Sequence, residues 1–158
     1  MPTIHLRTVI SAPVERCFDL CRSIDFHLTS TGDTEEEAVG GRTSGLIEMD
    51  ETVTWRAKHF GVRQHLTSKI TAFERPRHFR DEMLKGAFAV MKHDHVFEEA
   101  SGQTVMIDTF YFRAPLGPLG LLAERMVLTK YMTRFLEERA RVLKEAAESD
   151  GWKRFLSA

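Results

Sequence analysis

At 158 residues the chain has the length of one domain and is able to bury a single sizeable hydrophobic core. Apolar residues make up 42% and charged residues 28%, which excludes a disordered chain. The 22 basic and 23 acidic residues leave a formal net charge of −1. This balance lacks the basic surface that binds nucleic acid or anionic membranes. We therefore expect a globular domain with no nucleic-acid partner and no stable membrane insertion.

The N-terminal segment and the two cysteines predict a cytoplasmic protein. The opening sequence MPTIHLRTVI lacks the layout of a signal peptide, and no apolar run approaches the length of about 18 residues typical of a membrane span. Cys17 and Cys21 are four residues apart in a helical stretch, where backbone geometry is poor for a disulfide. We interpret them as small apolar side chains in a reducing compartment.

The first third of the chain predicts one strand, two short helices and a polar loop. Apolar residues alternate with polar ones at the start, which is typical of a half-buried strand, and Ser11 and Pro13 then favour a helix start. The glycine-rich stretch that follows predicts a loop with a brief edge strand. The predicted elements are a strand at 3–10, helices from 13 to about 21 and from 24 to 28, and an edge strand at 35–39 within the loop 32–45.

The middle of the chain predicts an antiparallel meander. Five segments with strand periodicity are joined by short turns, and Phe60-Gly61 has the features of a tight hairpin. The predicted strands are 51–60, 62–73, 78–85, 88–99 and 104–113. The two faces of the last strand are equally apolar: one carries Asp108 and Phe110, and the other carries Val105, Ile107 and Tyr111. The sequence therefore leaves open which face points inward.

A long amphipathic helix follows the strands. Pro115, Gly117, Pro118 and Gly120 end the strand signal and predict a rigid connector. Apolar residues then recur at helical spacing over roughly 28 residues, up to Asp150-Gly151. The predicted buried positions are Leu121, Leu128, Met132, Phe135, Val142 and Ala146, and the predicted solvent face is Glu124, Lys130, Glu137, Glu138, Arg141 and Lys144. We assign residues 1–148 to the domain and 149–158 to a tail.

This order of elements predicts an α+β fold with a cavity. A long meander must twist and coil, so a sheet of six or seven strands curves around the C-terminal helix. One helix cannot fill the concave face completely, and the remaining volume is where ligand pockets are usually built. A fully packed core, filled by residues such as Trp55 and Phe97, is the alternative.

Six short motifs carry a family resemblance: ISAPVERCF at 10–18, FRDEM at 79–83, GAF at 86–88, HDHVFE at 93–98, GQTVMID at 102–108 and FRAPLG at 112–117. Together they resemble motifs of the SRPBCC superfamily, which has the START-like helix-grip fold. The resemblance covers residues 3–148 and is strongest to a bacterial subgroup described as ligand-binding or cell-division-inhibitor-like. Ala87 departs from that subgroup, which tends to have Pro there. The resemblance implies a cavity for an apolar ligand, in a superfamily that contains carriers, sensors and polyketide cyclases.

A polar cluster is predicted on the cavity wall. His93 and His95 are two apart on one strand and therefore face the same side, with Asp81 and Asp108 on the neighbouring strands. Such a cluster suits either a satisfied structural network or general acid–base catalysis. A metal site would need a third ligand, and His59 or His65 reaches the pair only if the strand register allows it. We therefore expect no metal and no cofactor. The predicted ligand-binding residues are Trp55, Asp81, Met91, His93, His95, Phe97, Asp108, Phe110 and Met132.

Three functions are compatible with this sequence. The favoured one is a non-catalytic carrier or sensor of an apolar or amphipathic small molecule, such as a lipid or polyketide. The second is a cyclase or dehydratase type of enzyme that uses His93 or His95 with Asp81. The third is a regulatory interaction module linked to cell division. An exposed edge strand would allow either a monomer or a homodimer.

Overall fold

The computed structural model describes residues 2–31, 34–115, 117–123 and 127–156. Over these ranges the chain forms seven strands, four α-helices and one short 3₁₀ turn. The strands are β1 (Thr3–Ile10), β2 (Glu37–Gly41), β3 (Thr52–His59), β4 (Val62–Glu74), β5 (His78–Lys85), β6 (Val90–Ala100) and β7 (Gln103–Arg113). The helices are α1 (Val14–Cys21), α2 (Ile24–Ser30), α3 (Gly117–Ala123) and α4 (Thr129–Glu148), and the 3₁₀ turn is Gly151–Arg154.

All seven strands belong to one antiparallel sheet. Its order is β1-β7-β6-β5-β4-β3-β2, so β3 to β7 form a meander of sequential neighbours and β1 pairs with β7. The predicted helix-grip architecture is confirmed: a seven-stranded sheet faces a long C-terminal helix, with two short helices near the N-terminus. The register places Asp81 opposite His93, and His95 opposite Asp108.

The orientation of β7 is decided by its burial. Thr104, Met106, Asp108, Phe110 and Phe112 are all buried, whereas the alternate positions from 107 to 111 are only partly so. The inward face is therefore the one that carries Asp108. On β6 the same alternation buries Met91, His93, His95 and Phe97, as expected from the sequence.

The predicted edge strand is displaced by two residues. β2 begins at Glu37 and ends at Gly41, with a bulge between Ala38 and Gly40. Glu35, which was expected to start the strand, has a positive φ of 52° and cannot continue a ladder. Gly41 also has positive φ, and a Cβ there would lie 2.3 Å from the Thr52 carbonyl oxygen. Glycine at this position lets the edge strand close on β3.

The C-terminal helical region differs from the prediction in two ways. α3 already begins at Gly117, so the predicted connector is helical, and Pro118 lies in the first turn, where its missing N–H costs nothing. The buried stripe of α4 consists of Leu136, Ala140, Leu143 and Ala147, not the predicted Val142 and Ala146, which are only partly buried. The predicted position Glu124 lies outside the described residues.

The packed core is centred on Phe18 of α1. Its ring makes edge contacts with Phe73, Phe79 and Phe97, at centroid distances of 5.5, 5.3 and 5.4 Å. The C-terminal half of α4 packs into the same cluster. This part of the space between the sheet and α4 is therefore filled by side chains.

The segment that was assigned to a tail docks onto the domain. The Arg16 guanidinium lies 4.2 Å from the Trp152 ring centroid, and Phe155 contacts Phe26 edge-on at 5.2 Å. Both aromatic side chains of the segment thus contribute to the hydrophobic core.

Candidate functional site

A cavity of about 310 Å³ lies between the concave face of the sheet and the first half of α4. Side chains from both the sheet and the start of α4 line it. The apolar residues of its lining are Trp55, Ala57, Phe60, Leu66, Ala87, Phe88, Met91, Phe110, Pro115, Leu128, Tyr131, Met132, Phe135 and Leu136. The predicted concavity is therefore hollow at one end and solid at the other.

Most of the residues predicted from the sequence to bind ligand line this cavity. Those that do are Trp55, Asp81, Met91, His93, Phe110 and Met132. His95 and Asp108 lie just behind them, next to two smaller spaces. Phe97 does not reach any of these spaces, because α1 covers that end of β6 and Phe18 packs against the Phe97 ring.

The four polar residues predicted to cluster do form one network. Asp108 Oδ1 accepts a hydrogen bond from His93 Nε2 at 3.0 Å and forms an ion pair with His95 Nδ1, also at 3.0 Å. His95 Nδ1 also contacts Cys21 Sγ at 3.4 Å. His95 Nε2 also donates to Asp81 Oδ2 at 2.9 Å. The two imidazole rings lie 3.8 Å apart between their centroids. Each of the two carboxylates is thus held by at least one histidine.

The protonation states of the network follow from these contacts. Burial favours the neutral form of His95, but the adjacent Cys21 sulfur and the hydrogen bonds to Asp108 and Asp81 outweigh it and raise the pKa of His95 well above 6.5. Burial and the neighbouring His95 lower the pKa of His93. Burial acts to raise the pKa of Asp108, yet both histidines hold it well below its usual range. His95 is therefore the cation of the cluster, and His93 is neutral.

A second polar cluster on the cavity wall was not predicted from the sequence. Arg139 Nη2 donates to His27 Nδ1 at 2.8 Å, and His27 Nε2 donates to Glu36 Oε1 at 2.8 Å. The His27 ring stacks on Trp55 with a centroid distance of 4.1 Å. Arg139 Nε is buried and has no hydrogen-bond partner among the described residues. The sequence carries little signal for this cluster, because its members come from α2, the following loop and α4.

Burial sets the charge of His27. Burial and the nearby Arg139 cation lower the pKa of His27, and they outweigh the opposing effect of Glu36. For Glu36, burial acts to raise the pKa, but His27 and Arg139 outweigh it and lower the pKa. The wall of the cavity thus presents a neutral imidazole between a carboxylate and a guanidinium.

The β3–β4 hairpin borders the cavity at its outer end. Phe60 and Gly61 both have positive φ, which forms the tight turn predicted from the sequence. His59 Nδ1 accepts a hydrogen bond from the Tyr131 hydroxyl at 2.5 Å, and the Phe60 ring lies 4.5 Å from the Tyr131 ring. His59, one of the two candidate third metal ligands, therefore contacts α4 and not the His93–His95 pair. The side chain of His65 also lines the cavity.

Comparison with known proteins supports the fold. No protein-family model matches the chain, and no curated protein matches it in sequence. Among solved structures, a protein from Thermus thermophilus is 20% identical with a TM-score of 0.75, over 92% of this chain and 97% of that one. Ginseng major latex-like protein 151 from Panax ginseng is 12% identical with a TM-score of 0.69, over 94% and 98% of the two chains.

A START superfamily protein from Mycobacterium smegmatis is also similar, with 9% identity and a TM-score of 0.69 over 92% of this chain and 97% of that one. The structure and these similarities together define the fold of the chain, which is the START-like helix-grip fold. In the part of the chain that the structure describes, no helix combines the length and apolar character needed to cross a membrane.

Proposed function

We propose that the protein binds an apolar or amphipathic small molecule in the cavity between the sheet and α4, as a carrier or sensor. The observation that carries this proposal is the hollow of about 310 Å³ itself, which is much larger than the other spaces between the sheet and α4. Ligand pockets are typically apolar clefts with a few convergent polar groups. Asp81, His93 and Arg139 are such groups here.

The size of the cavity restricts the ligand. About 310 Å³ is at the lower end of the range of roughly 300–1,000 Å³ found for small-molecule sites. A single acyl chain or a molecule of a few fused rings fits this volume, whereas a two-chain phospholipid exceeds it. Aromatic side chains on three walls favour a ligand with flat or flexible apolar groups and its polar end toward Asp81 and His93.

Two measurements test this proposal on the full chain. Native mass spectrometry of the purified protein should detect a co-purifying small molecule or a one-to-one complex with the fluorescent apolar probe N-phenyl-1-naphthylamine. Single-chain alcohols should displace the probe, and two-chain phospholipids should not. No saturable binding of the probe, or no displacement by any single-chain compound, would contradict the proposal.

The enzyme alternative is distinguished in the same experiment. A carrier releases its ligand unchanged, whereas a cyclase or dehydratase converts it. Mass spectrometry of a ligand recovered after incubation gives this answer directly, because a dehydration removes the mass of one water molecule. Recovery of unchanged ligand supports the carrier function.

A further inference from the structure

We propose that Asp81, His93 and His95 form a binding site for a divalent first-row transition-metal ion in the wall of the cavity. Each residue offers one ligand atom, and these atoms all lie within 4.8 Å of one another. Two imidazoles and one carboxylate are a common ligand set for Fe²⁺, Zn²⁺ and Co²⁺. The inference does not depend on the proposed carrier function.

The positions of the ligand atoms suit one shared ion. His95 Nε2 and Asp81 Oδ2 are 2.9 Å apart, which is close to the separation of adjacent ligands around an ion that binds each at about 2.0–2.2 Å. His93 Nε2 is occupied by Asp108, and its Nδ1 has no hydrogen-bond partner among the described residues. Nδ1 of His93 is therefore the nitrogen that we assign to the ion.

Asp108 gives the site an outer shell. It accepts a hydrogen bond from His93 Nε2 and forms an ion pair with His95 Nδ1, at 3.0 Å in both cases. Metal-binding histidines almost always donate their second ring N–H to a carboxylate or carbonyl, which fixes the tautomer and the ring orientation. The buried Asp108 carboxylate, which contacts both histidines, has this orienting role, and Asp81 supplies the third ligand.

The cluster also has room for an ion. A space of about 60 Å³ is lined by Asp81, His93 and His95 together. A cavity needs about 10–15 Å³ of such space to hold one water molecule, so this space has room for an ion and one further ligand. Asp81 and His93 also line the large cavity, which provides the route by which an ion or a ligand atom reaches the open coordination position.

Charge balance favours a divalent cation. Around these spaces the described carboxylates are Asp81, Asp108 and Glu36, and the described guanidiniums are Arg139 and Arg22. Arg22 forms an ion pair with Asp19 at 2.9 Å, and both groups are counted here. With neutral imidazoles these groups sum to −2, which a divalent ion cancels. The bound ion replaces the proton that His95 Nε2 donates to Asp81, so binding releases one proton to solvent.

The sequence offers no assured third histidine for this site. His59 lies at the outer end of the cavity against Tyr131. The third ligand is a carboxylate from the neighbouring strand, placed by the register that sets Asp81 opposite His93.

The test uses chelator-treated full-length protein titrated with Co²⁺ and followed by its visible absorption. We expect saturable one-to-one binding, and displacement of Co²⁺ by Zn²⁺. His93→Gln, His95→Gln and Asp81→Asn should each abolish the absorption band. Asp108→Asn should weaken Co²⁺ binding by about 10–100-fold, as expected for an outer-shell residue. His59→Gln, a matched change on the same cavity wall, should leave binding unchanged.

The proposal is overturned if wild-type protein shows no saturable Co²⁺ binding, or if the three ligand variants bind Co²⁺ as wild type does. Where a variant does not fold, the wild-type chain with ¹⁵N-labelled histidine gives the same answer by NMR. Zn²⁺ should then shift the His93 and His95 imidazole resonances and leave those of His27 and His59 in place, and the reverse pattern refutes the site. Binding of N-phenyl-1-naphthylamine, measured on the same samples, tests ligand binding in the cavity independently of the metal site.

Discussion

Replacing Ala57 by Phe should weaken ligand binding markedly without unfolding the protein. Ala57 is buried on β3, and its side chain lines the cavity, so a phenyl ring at this position enters the hollow. The ring occupies space where the wild-type protein has neither side chain nor backbone. The substitution therefore tests whether the cavity is the binding site, and not merely a gap in the core.

The expected size of the effect follows from the cavity volume. An apolar cavity of about 150 Å³ holds a benzene molecule, so the ring takes about half of the 310 Å³. A ligand then loses the burial of about six carbon atoms. At about 0.3 kcal/mol per atom this costs about 2 kcal/mol, or a weakening of at least 20-fold. Burial of the ring stabilises the fold by about 1.5–3 kcal/mol, and overpacking costs about 1–3 kcal/mol, so stability should change little.

The assay is titration with N-phenyl-1-naphthylamine, with urea unfolding of the same samples. Ala100→Phe adds the same ring at an exposed position outside the cavity and should bind the probe as wild type does. If Ala57→Phe retained wild-type affinity with wild-type stability, the probe would bind elsewhere and the reasoning would be refuted.

Three further predictions concern the rest of the structure. Burial and Arg139 lower the folded-state pKa of His27 below 6.5, so the stability from neutral His27 is complete above pH 6.5 and is lost as the pH falls through the folded-state pKa. The free energy of unfolding, measured in urea at several pH values, should fall less steeply in His27→Gln, and equal slopes would contradict this. Phe18→Ala should cost about 3–5 kcal/mol in the same assay, because Phe18 is buried among three rings, and a loss below about 1 kcal/mol would show that the core is not centred there. Trp152→Ala should lower the thermal midpoint by removing the Arg16 contact, which is worth about 1 kcal/mol, whereas an unchanged midpoint would mean that the C-terminal segment does not stabilise the domain.

The fold was predictable because its signals are local. Period-two alternation from residue 51 to 113 predicted the five strands of the meander, and Phe60-Gly61 predicted the tight turn between two of them. The predicted bounds of the edge strand and of the connector before α4 were wrong, because glycine and proline occur both in loops and at the ends of strands and helices. Pairing with β3 decides where the edge strand β2 lies, and tertiary context decides where α3 begins.

The candidate site was predictable only in part. His93 and His95 lie on one strand, and so their common face follows from the sequence. The contact of both histidines with Asp108 depends on strand register, which alternation alone does not give. Arg139 and His27 are 112 residues apart in sequence, and no pattern in the chain links α2 to α4. Phe97 shares the parity of the two histidines, but it lies where α1 covers the sheet.

The two ends of helix α4 have different surroundings. Ala140, Leu143 and Ala147 join the packed core around Phe18, whereas Met132 and Phe135 border the hollow. Changes in the second half of the helix therefore act on folding, and changes in the first half act on the shape of the cavity. If the proposed function holds, substitutions in the first two turns of α4 should alter which ligand binds and leave the stability of the domain largely unchanged.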